Sequence, residues 1–443
     1  MKYYSTNKIV SDVALKDAVI KSLAADKGLF MPNSIKRLPQ EFFDNIENMS
    51  FQEMSYRVAD AFFGEDLPAD ELKRIVYETL AFDAPVVKVK DNIYSLELFH
   101  GPTLAFKDVG GRFMARLLGY FVNNSQEKRV NVLVATSGDT GSAVANGFLG
   151  VKGVHVYVLY PKGKVSEIQE KQFTTLGKNI TALEIEGCFD DCQALVKRAF
   201  ADEELNAGMF LTSANSINLA RFLPQSFYYF YAYAQLKKMG KADNLVVSVP
   251  SGNFGNITAG LFAQVMGLPI KRFIAANNRN DIFYNYLRTG NFEPKASVCT
   301  IANAMDVGNP SNFARILDLY NYNHATVCSH VGGATYNDEQ IANGVKDCWR
   351  ENKYLLDPHG ACGYLALQEQ LQAGETGVFL ETAHPAKFKD TIDRILGEDI
   401  EIPLPLQEFM KGKKQTVEMS SDYEELKKFL QQNQNYNSEE CYY

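Results

Sequence analysis

The hydrophobic positions divide the chain into two parts with different periodicities. In residues 1–85 they recur at helical spacing, first in "SDVALKDAVIKSLAADKG" (11–28), which ends at a glycine, and then in amphipathic segments near 50–63 and 69–81. From residue 86 onward, short β-branched runs alternate with helical patterns. Four of these runs are predicted to be buried strands: "VNVLVAT" (130–136), "VHVYVLY" (154–160), "NLVVSVP" (244–250) and "KRFIAAN" (271–277). The sequence therefore predicts a doubly wound α/β protein that follows a helical N-terminal region.

Composition and charge narrow the function classes. The chain has 443 residues, of which 46% are hydrophobic and 22% charged, as is ordinary for a globular protein. Its net charge of −8 argues against a general nucleic-acid binder, because phosphate contacts require a basic surface. Seven cysteines, an odd number, favour a reduced, cytoplasmic setting. We expect no signal peptide, no membrane span and, because no Cys and His residues have metal-ligand spacing, no metal.

Two strand–loop–helix units have the character of anion sites. In "VVSVPSGNFGNITAGLFAQ" (246–264), Gly252 and Gly255 let backbone N–H groups approach an anion at a helix start. The loop matches neither a dinucleotide nor a nucleoside-triphosphate motif, so it suits one phosphate monoester. In "VNVLVATSGDTGSAVANGFLG" (130–150), the hydroxyls and free N–H groups of residues 136–141 suit a carboxylate. Two alternatives stay open: an ordinary glycine-containing turn in the first loop, and helix capping by Asp139 or Thr140 in the second.

A lysine stands at an unusual place in "HGPTLAFKDVGGR" (100–112). Lys107 heads an apolar-periodic run, in or near a helix's first turn, where the helix dipole disfavours a cation by about 0.3–1 kcal/mol. Burial by Leu104 and Phe106 is expected to lower the pKa of Lys107 further, which favours the neutral amine that forms an imine with an aldehyde. The alternative is a lysine that pairs with Asp108 or extends to solvent. An imine-forming lysine, a phosphate loop and a carboxylate loop in one α/β unit are the groups that pyridoxal phosphate (PLP) and an amino-acid substrate require.

These stretches resemble the threonine synthase family. The resemblance lies in "ELFHGPTLAFKDVGGRFMA" (97–115), "ATSGDTGSAVA" (135–145), "SANSINLARFLPQ" (213–225), "VVSVPSGNFGNITAGL" (246–261), "NAMDVGNPSNFAR" (303–315) and "ETAHPAKFKDTI" (381–392), in the family's order. It covers residues 1 to about 400 and is most similar to the bacterial and fungal form. It implies a fold-type II PLP enzyme, similar to the tryptophan synthase β subunit. Such an enzyme converts O-phospho-L-homoserine and water to L-threonine and phosphate, the last step of threonine biosynthesis.

The resemblance also implies roles for individual residues. Lys107 would hold PLP and then act as the acid/base, and Thr382 would face the pyridine nitrogen and leave it neutral. The cofactor phosphate would be bound by Gly252, Asn253, Phe254, Gly255 and Asn256. The substrate would be bound by Thr136, Ser137, Gly138, Asp139, Thr140, Ser213, Asn215, Ser216, Asn218 and Arg221. Arg221 supplies a planar fork suited to phosphate, whereas Asp139 would repel a PLP phenolate unless a proton is shared. Four further candidates, each with a structural alternative, are His100, His384, Lys162 and Lys164. Gly110 and Gly111 are expected to let the lysine's helix pack closely beside the cofactor.

The family's architecture further implies a division into domains. It predicts an N-terminal helical domain (1–85), a large PLP-binding domain (86–120 and 230–405) and a small mobile α/β domain (121–229). The sequence pattern itself predicts a C-terminal tail (406–443) with a last helix in "DYEELKKFLQQ". The resemblance also implies a cytoplasmic monomer or homodimer whose partner is a small molecule, neither nucleic acid nor membrane. Two other functions stay open: a related lyase that releases a 2-oxo acid, and a non-catalytic sensor of a phosphorylated metabolite on the same fold.

Overall fold

The computed structural model describes residues 1–124 and 129–436. The end of the predicted tail, residues 437–443 with Cys441, lies outside the described residues. The described strands are β1 (Tyr3–Ser5), β2 (Phe30–Pro32), β3 (Val86–Lys90), β4 (Ile93–Glu97), β5 (Val130–Ala135), β6 (Val154–Pro161), β7 (Ile180–Glu186), β8 (Leu211–Ser213), β9 (Leu245–Pro250), β10 (Ile270–Asn277), β11 (Val331–Thr335), β12 (Thr376–Glu381) and β13 (Val417–Ser420). The four predicted strands are confirmed as β5, β6, β9 and β10.

The α-helices are distributed along the whole described chain. They are α1 (Leu15–Lys21), α2 (Gln40–Asp44), α3 (Phe51–Phe63), α4 (Ala69–Thr79), α5 (Lys107–Asn123), α6 (Asp139–Phe148), α7 (Glu167–Thr174), α8 (Phe189–Ala201), α9 (Glu203–Gly208), α10 (Leu219–Phe222), α11 (Phe227–Lys238), α12 (Gly255–Val265), α13 (Ile282–Thr289), α14 (Phe313–Leu319), α15 (His324–His330), α16 (Asp338–Asn352), α17 (Pro358–Gln370), α18 (Lys389–Leu396), α19 (Leu404–Lys411) and α20 (Tyr423–Tyr436). Short 3₁₀ turns lie at Ile46–Asn48, Leu223–Ser226, Asn303–Met305 and Pro385–Phe388. No described helix is long and apolar enough to cross a membrane.

The N-terminal region is helical, as predicted, but its first helix is shorter than the sequence pattern. The amphipathic segments near 50–63 and 69–81 form α3 and α4, and Ser50 caps α3 by accepting a hydrogen bond from the Glu53 N–H at 3.1 Å. Helix α1 stops at Lys21 because Ser22 adopts a left-handed φ of 60°, which turns the chain back toward β2. Strands β1 and β2 pair antiparallel, which the helical periodicity did not indicate.

Two larger sheets carry the rest of the fold. The first has the strand order β11-β10-β9-β12-β4-β3 and is parallel except for the antiparallel pair of β3 and β4. The second has the order β13-β7-β6-β5-β8 and is parallel throughout. Buried positions on both faces of β5, β6 and β9 explain why these strands could be predicted from nearly continuous hydrophobic runs.

The predicted tail contributes a strand and a helix to the second sheet. Strand β13 pairs with β7, and α20 places Leu426 and Leu430 in the same buried cluster as Leu195 and Val196 of α8. The described part of residues 406–443 is therefore packed structure, because its apolar side chains cover one face of this sheet. The assignment of the two sheets to a large and a small mobile domain stays a prediction.

Candidate functional site

The carboxyl ends of parallel strands from both sheets open into one cavity of about 1600 Å³. The residues at the ends of β5, β8 and β9 (Ala135, Ser213 and Pro250) line it, as does Thr382, which follows β12. Ligand sites of open α/β sheets lie at such strand ends. Of the predicted site residues, the cavity is lined by Lys107, Thr136, Ser137, Asp139, Thr140, Ser213, Asn215, Ser216, Arg221, Gly252, Asn253, Phe254, Gly255, Asn256 and Thr382, whereas Gly138 and Asn218 do not line it.

Lys107 is the first residue of α5, as the sequence pattern predicts. Its position is fixed by the segment after β12, because the Phe106 N–H donates to the Thr382 carbonyl at 2.8 Å and the His384 N–H donates to the Leu104 carbonyl at 3.0 Å. Burial lowers the pKa of Lys107 to about 8; the charges of Arg221 and Lys387 act in the same direction and that of Asp139 opposes them.

The proposed pairing of Lys107 with Asp108 is wrong. The Asp108 carboxylate turns back to Thr103 and accepts from its N–H at 2.9 Å and its hydroxyl at 2.7 Å. Gly110 and Gly111 also differ from expectation, since neither lines the cavity. A methyl group at Gly110 would lie 2.3 Å from the Arg221 carbonyl oxygen, and one at Gly111 would lie 2.8 Å from that of Ala143. The two glycines therefore let α5 pack against α10 and α6.

The loop from Gly252 to Asn256 forms a cradle of backbone N–H groups before α12. Phe254 holds the N-cap position with a left-handed φ of 63°, and the five N–H groups donate no hydrogen bond within the described chain. A methyl group at Gly252 would lie 2.8 Å from the Met305 Cα, so only glycine fits against this neighbouring segment. The two asparagine side chains serve the loop itself: Asn253 donates to the Ser216 hydroxyl at 2.8 Å, and Asn256 donates to the Pro250 carbonyl at 2.9 Å.

The second loop is organised by Thr136, whose side chain, and not that of Asp139 or Thr140, accepts an N–H of the first turn of the following helix. The Thr136 hydroxyl oxygen accepts from the N–H groups of Gly138 at 2.9 Å and Gly141 at 2.8 Å. Gly138, with a φ of 139°, occupies the N-cap of α6. Capping by Asp139 or Thr140 is therefore wrong, and the Ser137 and Thr140 hydroxyls border the cavity without a hydrogen-bond partner among the described residues.

Asp139 is instead part of a buried ion pair that the sequence did not indicate. Its carboxylate accepts from the Lys387 ammonium at 2.7 Å and from the Gln169 amide at 2.8 Å. Burial raises the pKa of Asp139, but the charges of Lys387 and Lys107 and the two hydrogen bonds outweigh it and lower the pKa to about 2. Lys387 lies in "ETAHPAKFKDTI" (381–392), one of the blocks that carry the family resemblance, but the sequence around Lys387 does not indicate that it pairs with Asp139.

Residues 211–225 separate into scaffold and cavity groups. Asn218 lies outside the cavity: its amide donates to the Val19 carbonyl and to the Ser22 hydroxyl, both at 2.8 Å, which ties α10 to α1. This geometry gives the predicted substrate contact of Asn218 no support. Arg221 differs, because it is buried, lines the cavity, and leaves Nε and Nη1 without a partner in the part of the chain that the structure describes. Burial lowers the pKa of Arg221 to about 10, so the guanidinium stays charged near neutral pH.

The four further candidates lie away from the cavity. His100 contacts Glu97 at 2.8 Å, and Lys162 pairs with Glu418 at 2.6 Å. His384 accepts from the Ala386 N–H at 3.1 Å and thereby caps the 3₁₀ turn, while burial lowers its pKa to about 4. Lys164 does not line the cavity. These positions support the structural alternative for each residue.

A histidine that lines the cavity was not predicted from the sequence. His359 lines the cavity, its Nδ1 contacts the buried Asp357 carboxylate at 2.5 Å, and its Nε2 accepts from the Ala304 N–H at 3.1 Å. Ala304 lies in the segment that packs on Gly252. The "DPHG" start of α17 is an ordinary capped helix start by sequence, so nothing local indicated that His359 faces the site.

Family models match three consecutive parts of the chain. The model for pyridoxal-phosphate dependent enzymes matches residues 78–382, the threonine synthase N terminus matches residues 2–80, and the threonine synthase C-terminal model matches residues 360–430. The last match reaches β13 and α20, beyond the blocks that carry the resemblance. The fold is accordingly that of a fold-type II PLP enzyme.

Full-length relatives and solved structures agree with these models. The chain is 46% identical over 430 residues to a threonine synthase of Haemophilus influenzae, with 97% of this chain and 99% of the relative covered. The crystal structure of threonine synthase from Escherichia coli superposes with a TM-score of 0.91 at 44% identity, covering 98% of this chain and all of that chain. A PLP-bound threonine synthase from Brucella melitensis superposes with a TM-score of 0.91 at 33% identity over 98% of this chain and 100% of that one. The chain belongs to the threonine synthase family of PLP-dependent enzymes.

Proposed function

We propose that this chain converts O-phospho-L-homoserine and water to L-threonine and phosphate with PLP as its cofactor. One observation carries the proposal: the Lys107 amine shares a cavity with two separate unpaired anion-binding groups, the N–H cradle of Gly252–Asn256 and the Arg221 guanidinium. A PLP enzyme with this substrate must hold two phosphates, one on each reactant. The relatives' name supports the same reaction.

The residues present fit the cofactor. The cradle suits one phosphate, because its five N–H groups have no hydrogen-bond partner among the described residues and lie at the start of α12. Thr382 lines the cavity, and its carbonyl accepts from the N–H of Phe106, beside Lys107, which supports the inference that its hydroxyl would face the pyridine nitrogen. When bound, PLP supplies an aldehyde for amines and a ring that stabilises negative charge at the substrate Cα.

The chain's own residues would bind the substrate and move its protons. The Ser137 and Thr140 hydroxyls, which have no hydrogen-bond partner among the described residues, would donate to the substrate carboxylate, and the Arg221 guanidinium would bind its phosphate. Because burial lowers the pKa of Lys107 to about 8, its amine can take the proton from Cα and later return it. In the net reaction the Cγ–O bond and one Cβ–H bond break, and the phosphate leaves with the electron pair of the Cγ–O bond and takes up one proton. Water supplies a hydroxyl at Cβ and a proton at Cγ.

Product analysis of two proteins tests the proposal. The unmodified chain, given O-phospho-L-homoserine and PLP, should release threonine and phosphate in equal amounts. Lys107→Ala should keep its fold by circular dichroism yet lose turnover by at least about 1000-fold, because the group that moves the Cα proton is gone. Release of 2-oxobutyrate without threonine would instead assign the lyase reaction, and absence of a PLP absorption band would assign the sensor.

The finer expectations are part of the same proposal. We infer a cytoplasmic monomer or homodimer, and a small domain (121–229) that closes over the substrate and excludes water during the proton transfers. The cavity between the strand ends of the two sheets supports the domain closure. Light scattering measures the oligomeric state, and scattering profiles with and without substrate measure the closure.

A further inference from the structure

The buried ion pair of Lys387 and Asp139 has no role in the reaction outlined above. The Lys387 side chain is fully buried in the turn after β12, and its ammonium donates to the Asp139 carboxylate at 2.7 Å and to the Thr103 carbonyl at 2.8 Å. Thr103 in turn donates to the Asp108 carboxylate, one residue beyond Lys107. The pair thus connects the segment after β12, the start of α6 and the segment that presents Lys107.

Stability alone is a weak reason for such a pair. Removing two charges from water costs several kcal/mol, and well-packed apolar residues of the same volume often stabilise a protein as well or better. Asp139 also borders the cavity, where an uncompensated carboxylate would repel the anionic reactants. A cation that neutralises Asp139 without occupying the cavity removes this repulsion, and Lys387 meets that requirement because it does not line the cavity.

Lys107 experiences the charges of both partners. The charged groups around it are Asp139 on α6, Arg221 on α10 and Lys387 on the 385–388 turn; Asp108 on α5 is turned toward Thr103. We propose that Lys387 is a positioning residue that cancels the charge of Asp139 and so keeps Lys107 available as a free amine. This rests on the proposed function only in taking Lys107 as the reactive lysine.

The proposal predicts a different shift of the Lys107 titration midpoint for each of three variants. In Lys387→Met the uncompensated Asp139 carboxylate stabilises the Lys107 ammonium, so the titration midpoint of Lys107 should move alkaline by about one pH unit or more. In Asp139→Asn the carboxylate is lost while Arg221 and Lys387 still repel, so the midpoint should move acid by a similar amount. In the double variant the two effects oppose each other, so the midpoint should lie between those of the two single variants.

Trace acetylation measures the midpoint without catalysis. The full-length protein, stripped of cofactor, is labelled with acetic anhydride between pH 6 and 10, and the Lys107 peptide is quantified by mass spectrometry. The matched control is Lys389→Met, which removes a lysine of a half-buried ion pair two residues away and should leave the Lys107 midpoint unmoved.

The proposal is overturned if Lys387→Met leaves the midpoint in place, or if the double variant retains the shift of the single one, as a purely structural effect would produce. If Lys387→Met does not fold, the acid shift of Asp139→Asn and its reversal in the double variant carry the same test. A chain that makes no threonine but shows these shifts would refute the proposed function and leave this inference standing.

Discussion

Replacing Gly110 by alanine tests whether the close crossing of α5 and α10 places Arg221. The added methyl would lie 2.3 Å from the Arg221 carbonyl oxygen, whereas ordinary contact begins near 3.4 Å. Helix α10 must therefore move by about 1 Å, an overpacking that costs roughly 1–3 kcal/mol. Alanine returns about 1 kcal/mol of helix propensity, so the free energy of unfolding should fall by only about 0–2 kcal/mol. Turnover should suffer more, by about 100-fold, because a shift of this size misplaces the guanidinium in the cavity.

The assay for Gly110→Ala separates folding from positioning. Urea unfolding is followed by the fluorescence of Trp349, the only tryptophan in the sequence, and turnover by phosphate release. Gly119→Ala is the control on the same helix, because its methyl would meet only a flexible Val151 methyl at 3.0 Å. Gly119→Ala should keep turnover within about twofold. If Gly110→Ala turns over as fast as Gly119→Ala, the α5–α10 crossing does not place Arg221 and the reasoning fails.

Two further predictions concern buried charges outside the cavity. Arg315 is fully buried, and its partners in the part of the chain that the structure describes are uncharged oxygens, among them the Phe30 and Ile217 carbonyls. Arg315→Met should therefore lose about 4 kcal/mol of unfolding free energy in urea, and a loss below about 1 kcal/mol would contradict this. Burial raises the pKa of Glu375, but hydrogen bonds from the chain and from two basic side chains, Lys271 and Arg272, outweigh it and lower the pKa to about 2. The stabilisation by the Glu375 carboxylate is therefore present above about pH 4.5 and is lost as the pH falls toward 2. Glu375→Gln should cost about 2 kcal/mol of unfolding free energy at pH 7 and much less at pH 3. An equal cost at both pH values would refute the assignment.

Continuous burial made a strand easier to predict but was not sufficient, because β12 is also buried at every position and was not predicted. Strands β5, β6 and β9 are buried at every position, so the hydrophobic pattern alone marks them. Strand β13 is an edge strand with exposed residues at two of its four positions, and its short polar sequence carries no comparable pattern. Helix α1 was overpredicted because apolar periodicity continues past Ser22, where the backbone turns for a tertiary reason.

The residues of the candidate site likewise divide into those that one stretch of sequence reveals and those that only the fold brings together. The cradle of Gly252–Asn256 and the position of Lys107 are local, since a strand, a loop and a helix start are read from one stretch of sequence. The partner of Asp139 is not local, because Lys387 reaches it from another part of the chain. A sequence shows the chemical type of each residue but not which buried charges meet, and so capping was a reasonable but wrong alternative for Asp139.

The spacing of "KDVGG" explains how distant segments reach Lys107 at all. Residues three and four apart lie on the same face of a helix, so Gly110 and Gly111 lie on the face that begins with Lys107. The missing side chains let the Arg221 backbone of α10 and the Ala143 backbone of α6 approach this face. These two helices carry Arg221 and Asp139, the groups whose charges act on the Lys107 amine. The two glycines of α5 at this spacing therefore set the relative positions of Lys107, Arg221 and Asp139. A residue larger than glycine at either position must displace all three.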